Sequence, residues 1–255
     1  MPSNYAHYRF GKQAFASLPP QAKRCIQRFR RLYEMGQQGP DFFFYYNPLW
    51  KTVPGELGHS LHRQSGQEFF TRAASLATTE AAQAYLYGVL GHYCLDSTCH
   101  PFVNRMDSSG EAGHMALEAE FDRYLMEADG IPEPGTYDMS GKIKLTRGEC
   151  VTVASLYPPA TPGNVHQGVR FMRWGIHYLS GKNREKLEKQ LKKIKPGLLD
   201  KLVPMEPVQA FQRMDSELLV RYRWAMEKYP QLLEQLMNHM RAGEDLGEDF
   251  TPTFG

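Results

Sequence analysis

Long apolar runs are missing from this chain. No stretch approaches the roughly 20 apolar residues needed to cross a bilayer as a helix. The opening residues, MPSNYAHYRFGKQAFASLPP, lack the continuous apolar core of a signal peptide. The expectation is a cytoplasmic protein with no transmembrane segment and at most peripheral membrane contact. An excess of one charge is missing too. Thirty basic against 28 acidic residues leave a net charge of +2, which gives no electrostatic footprint for nucleic acid or an anionic membrane. Cysteine is sparse. Cys25, Cys94, Cys99 and Cys150 show no zinc-ribbon spacing and are expected to be reduced and buried. Strand signals are nearly absent, limited to short pieces at Lys142–Thr146 and Val151–Val153.

Helical periodicity fills the space that these absences leave. With 42% hydrophobic residues, the 255-residue chain can bury a full core without staples. Amphipathic or apolar patterns predict helices over Gln21–Met35, Ser65–Ala77, Thr79–Cys99, Gly110–Ala128, Pro162–Leu179, Lys182–Lys193 and Ser216–Arg241. Residues 131–161 read as a Pro/Gly-rich connection, and 243–255 as an acidic tail carrying Phe250 and Phe254. The segment Thr79–Cys99 is apolar almost all round, which places it in the middle of a bundle, and Pro101 is expected to kink or end it. The predicted fold is all-α, one multi-helix domain spanning 1–255 with C-terminal helices over 162–242 and a metal cluster in the bundle core.

The histidines suggest that cluster. His92, Asp96 and His100 stand four residues apart on the most apolar helix, so they share one face. His114 and Glu118 repeat the spacing on the next strong helix. Facing helices with His/carboxylate stripes can clamp metal in a bundle core. Imidazole with carboxylate suits zinc, and also iron or manganese. A carboxylate between two histidines can bridge two ions, a geometry that serves phosphodiester displacement. Redox di-metal carboxylate sites use more carboxylates than histidines, with Glu-x-x-His spacing, the reverse of what stands here.

Taken together, His7, Asp41 in GPDFFFYYNP, the histidines of ELGHSLH, then HYCLDSTCH and HMALE resemble the zinc-dependent phospholipase C family. That family shares its helical fold with certain zinc-dependent single-strand nucleases. The resemblance implies two or three Zn2+ ions. Asp41, His62, His92 and Asp96 would hold the first, and His100, His114 and Glu118 the second. His7 would join Asp96 on the third. It also implies that Asp41 orients the attacking water as general base. His62 is preferred over His59, which is left as a metal ligand, a support to one, or a surface residue. The pattern departs at its start: Met1 precedes His7 by six residues and no tryptophan precedes Trp50, where secreted members use an N-terminal tryptophan on the third zinc. That ion is expected to be weaker or differently held.

The implied activity is hydrolysis of a phospholipid or another phosphodiester by a zinc-activated water. The partner is a small phosphodiester or phospholipid head group, with nucleic acid disfavoured. A single-strand nuclease activity and a non-catalytic, metal-stabilised scaffold are the alternatives. The aromatic run after Asp41, including Phe42, Phe43 and Tyr45, either lines a substrate pocket or packs in the core. Lys182, Lys186, Lys189, Lys192 and Lys193 read as a solvated basic face. His166, His177 and His239 read as structural. Asp122 and Asp129 are candidates to support metal-bound histidines.

Overall fold

Helix α6 (Glu80–Ser109) runs through the middle of the molecule, and its residues are buried without a break from Ala84 to Asp96. Its apolar circumference requires this: a helix with no polar face must be covered on all sides. Thr79 caps its start, with its hydroxyl accepting the Ala82 N–H at 3.2 Å. The computed structural model describes residues 4–46, 51–180, 183–184, 186–187, 204 and 206–255. Among these residues it is all-helical, with one isolated bridge between Ser65 and Thr253.

Around α6 pack α1 (Asn4–Ala14), α2 (Pro20–Arg28), α3 (Arg30–Gly36), α5 (Gly66–Leu76), α7 (His114–Ala128) and α10 (Gln212–Ala242). Helix α4 (Val53–Arg63) packs against the 3-10 turn Asp41–Phe43. Helices α8 (Arg147–Ala154) and α9 (Pro162–Tyr178) pair with each other, and α9 closes over the same turn. The tightest crossing is α3 on α6. A Cβ on Gly36 would stand 2.3 Å from the Tyr85 carbonyl, and one on Gly88 would stand 2.2 Å from the Tyr33 carbonyl. Paired glycines therefore let the two backbones touch.

Several expectations change. Helix α6 does not stop at Pro101. It continues to Ser109 and ends at Gly110 in the left-handed conformation (φ 76°). Buried Cys99, Phe102 and Val103 hold both flanks of the proline in place, so packing outweighs the lost hydrogen bond. The predicted helix Gln21–Met35 is two helices, broken at Phe29 (φ −123°, ψ 41°). Residues 110–113 lie outside α7. The 131–161 connection contains α8, started by a capping box in which Thr146 and Glu149 each satisfy the other's backbone N–H.

All four cysteines are free and buried. No helix among the described residues is long and apolar enough to cross a membrane. Of the basic segment expected at Lys182–Lys193, the positions Lys182, Lys189, Lys192 and Lys193 lie outside the described residues, as do Met1 and Trp50.

Candidate metal centre

Five segments deliver His and carboxylate side chains to one place. His7 comes from α1, Asp41 from the turn after α3, and His62 from the last turn of α4. His92, Asp96 and His100 come from α6, and His114 and Glu118 from α7. Their ligand atoms form three groups: His7, His92 and Asp96; Asp41, His62 and His92; and His100, His114 and Glu118.

Asp96 stands at the centre. Its Oδ1 lies 3.2 Å from His7 Nε2 and 3.8 Å from His100 Nε2, and its Oδ2 lies 3.0 Å from His92 Nε2. Asp41 Oδ1 lies 3.0 Å from His62 Nε2 and 3.7 Å from His92 Nε2. Glu118 Oε1 lies 3.1 Å from His100 Nε2 and 3.3 Å from His114 Nε2. His7, His92, Asp96 and Glu118 are buried, whereas the His114 side chain is 32% exposed. The cluster therefore opens toward solvent at its α7 end.

The donor chemistry fits a cation. His62 Nδ1 is 2.9 Å from the Gly58 carbonyl and His100 Nδ1 is 2.9 Å from the Phe254 carbonyl. A carbonyl only accepts, so each Nδ1 carries a proton, and in the neutral ring each Nε2 then holds the lone pair facing a carboxylate oxygen. Two acceptors at about 3 Å repel unless a proton or a metal ion lies between them. At His92 even the hydrogen bond is missing: both ring nitrogens are buried without a hydrogen-bond partner, as are Asp41 Oδ1 and His7 Nδ1. Such convergent, unsatisfied buried atoms are costly and suit N/O ligation.

The charges interlock. Burial opposes ionisation of Asp41 and Asp96, yet His92 and the neighbouring imidazoles hold both carboxyls below their ordinary range. Glu118 is likewise buried, yet it is held well below its usual value with His100 and His114 hydrogen-bonded to it. Burial also opposes charge on His100, but Asp96 and Glu118 outweigh it and raise its pKa to about 9. With no metal ion bound, a proton would take the cation's place there.

Backbone features that sequence reasoning missed hold these side chains. Gly39 has φ 54°, and a Cβ there would stand 2.3 Å from the His92 ring, so only glycine lets the loop lie flat on that imidazole. The segment read as an acidic tail is folded in, with Phe250 and Phe254 fully buried. The one sequence signal was two phenylalanines four apart in an otherwise polar stretch.

Asp122 and Asp129 do not support metal-facing histidines directly. The Asp122 carboxylate accepts the N–H groups of Tyr5 and Ala6 at 2.9 and 2.8 Å, capping α1 from α7. Asp129 takes a bidentate pair from Arg9 and the Tyr5 hydroxyl. Both fix α1, and so His7.

His59 lies outside the cluster. It is exposed and packs on Phe44 at a tilt, ring centroids 4.8 Å apart and planes 58° apart. One helical turn separates it from His62, and the turn sends it to the rim of a cavity of about 750 Å³. Phe44 and Tyr45 also line that cavity, but Phe42 and Phe43 do not. The 3-10 turn at Asp41–Phe43 drives those two rings into the core against Tyr157, so core packing holds for Phe42 and Phe43 and pocket lining does not. Of the remaining histidines, His166 is exposed, His177 pairs with Asp138 at 2.7 Å, and His239 bonds the Glu244 carbonyl at 2.6 Å.

A family model described as zinc dependent phospholipase C matches residues 6–155. No curated protein and no solved structure matches the chain. The family match covers more than half of the chain and contains every residue of the cluster, so the chain belongs to the zinc-dependent phospholipase C family.

Proposed function

We propose that the chain hydrolyses a phosphodiester, with a phospholipid as the favoured substrate class, at a site of two or three zinc ions. The observation that carries this reading is the position of Asp96, between His7, His92 and His100, which links all three His/carboxylate groups. In this reading Asp41, His62, His92 and Asp96 hold one ion, His100, His114 and Glu118 a second, and His7 with Asp96 a third. Zinc held there supplies Lewis acidity to the phosphodiester oxygens and makes water more acidic. Asp41, kept ionised by the imidazoles beside it, accepts a proton from the attacking water.

The adjoining cavity supports a lipid over a nucleic acid. Phe44 and Tyr45 lie in the segment after Asp41, and Met115 and Ala119 neighbour His114 and Glu118 on α7, so the cavity lies beside the cluster although none of the cluster residues lines it. Most of its lining is apolar, including Met126, Met139 and Ile176, which suits an apolar chain better than a charged polymer.

The test is zinc content of the purified protein together with hydrolysis of bis(p-nitrophenyl) phosphate, phosphatidylcholine vesicles and a single-stranded oligonucleotide, before and after chelation. Two or three zinc per chain, chelator-sensitive lipid hydrolysis restored by zinc, and loss of turnover in Asp41→Asn are expected. Zinc-loaded protein inert toward all three substrates would overturn the hydrolase reading, and preference for the oligonucleotide would overturn the lipid.

A further inference from the structure

Beyond α10 the chain doubles back at Gly243 (φ 69°) and crosses the bundle again. It is tied at each step. The Tyr93 hydroxyl stands 2.9 Å from the Asp249 carbonyl and 3.1 Å from the Pro252 carbonyl. Gly66 donates its N–H to the Pro252 carbonyl at 2.8 Å, and Thr253 bridges to Ser65. The Phe250 ring packs on Phe70 and Tyr93. The Phe254 ring packs on Phe69 and Tyr93 and reaches His62 and His92, with centroids 5.9 and 6.1 Å away. The run ends with the Phe254 carbonyl accepting from His100 Nδ1 at 2.9 Å.

We infer that residues 249–254 form a strap whose Phe254 carbonyl is a positioning group for His100, fixing its tautomer and aiming Nε2 at the Glu118 side of the cluster. The inference rests on the cluster being a zinc site. The strap lies wholly outside residues 6–155, the part of the chain that the family model matches. Its logic is general: a metal-binding imidazole uses one nitrogen for the ion, and a fixed acceptor on the other nitrogen decides which one and sets the ring plane. The Tyr93 anchor makes that acceptor rigid, because two carbonyls of the strap converge on one buried ring whose own helix also carries His92, Asp96 and His100. The Phe254 ring, itself fully buried, packs beside His62 and His92.

The experiment compares the full chain with a deletion of residues 251–255, with Phe254→Leu and with Tyr93→Phe. Zinc stoichiometry and affinity are read by chelator competition, and the His100 tautomer by long-range 15N–1H NMR of the zinc-loaded protein. The deletion should weaken one ion per chain by about 10- to 100-fold, the range typical of a lost support to a metal ligand, and leave the others in place. Phe254→Leu keeps the backbone carbonyl and should keep affinity within a few-fold and the Nδ1–H tautomer. Should the deletion not fold, Tyr93→Phe, which frees the strap without shortening it, must weaken the same single ion. A full chain that takes up zinc while the deletion, or Tyr93→Phe in its place, loads equally well overturns the strap alone. Phe254→Leu losing as much affinity as the deletion makes the tail merely structural and also overturns it. A full chain that takes up no zinc overturns the metal reading and the strap together.

Discussion

His92 Nε2 lies 3.0 Å from Asp96 Oδ2, one helical turn along α6, and makes no hydrogen bond with it. A His/Asp pair buried for stability alone would align its N–H on the carboxylate, since an unsatisfied buried polar atom costs about 1–3 kcal/mol. This pair instead leaves lone pairs converging on the space that Asp41 and His7 also face.

Asp96 and His114 therefore differ in what they would take with them. Asp96→Asn should remove more than one zinc per chain, because its carboxylate faces His7, His92 and His100. His114→Ala, at the exposed end beside Glu118, should remove at most one. Metal analysis after gel filtration reads the difference, and equal losses would contradict the central position of Asp96.

The two histidines of α4 separate in the same way. His62→Ala should lower zinc content and activity, since His62 faces Asp41 at 3.0 Å. His59→Ala should leave zinc content unchanged and alter only substrate affinity, because its ring lies at the cavity rim against Phe44. A fall in zinc content in the His59 variant would restore it as a ligand.

Acidity should act through His100. Its pKa rises from about 6.5 in the unfolded chain to about 9 in the fold. The zinc-free protein thus gains stability from this proton fully below pH 6.5 and loses it as pH climbs through 9, on the order of 3 kcal/mol at most. Asp122, pushed up by burial to about 8 despite its two backbone N–H bonds, works in the same direction. Zinc displaces the His100 proton. Urea unfolding at pH 6.5 and pH 9 should therefore show the zinc-dependent gain growing with pH. A gain that shrinks would sink this account.

Gly39 offers a test without touching a polar group. Gly39→Ala meets a left-handed backbone, worth about 1–2 kcal/mol, and a contact with the His92 ring that something must move to relieve. The variant should melt lower and bind zinc more weakly. Unchanged zinc affinity would mean that the loop, and not His92, yields.

How much of this the sequence displayed depended on whether a residue's partners were local. The His92, Asp96 and His100 stripe and the His114/Glu118 pair were visible because helical spacing alone puts them on one face. Burial of α6 was visible because its apolar residues leave no wet side. The meeting of His7, Asp41 and His62 with that stripe depends on how α1 and α3 cross α6 and on how α4 packs on the Asp41–Phe43 turn, and it was reached only through the family-like motifs. Helix α8 was hidden because eight residues carry little periodicity, though Thr146 and Glu149 marked its start. Which rings of the aromatic run pack in the core stayed open because a 3-10 turn, which no pattern announced, sends Phe42 and Phe43 inward and leaves Phe44 and Tyr45 at the cavity. The folded tail was missed because its contacts lie roughly 150 residues away in sequence.

The unbroken burial of α6 from Ala84 to Asp96 also sets a time scale. Backbone amides there should exchange with solvent only when the whole molecule opens, whereas the half-exposed start of α7, tied by one exposed hydrogen bond from the His114 N–H to the Asp107 carboxylate, belongs to the class of segments that open locally. His92 and Asp96 thus sit in the slowest part of the protein, and His114 in one of the faster parts. An opening confined to the start of α7 would uncover His114 and leave the packing around His92 and Asp96 unchanged.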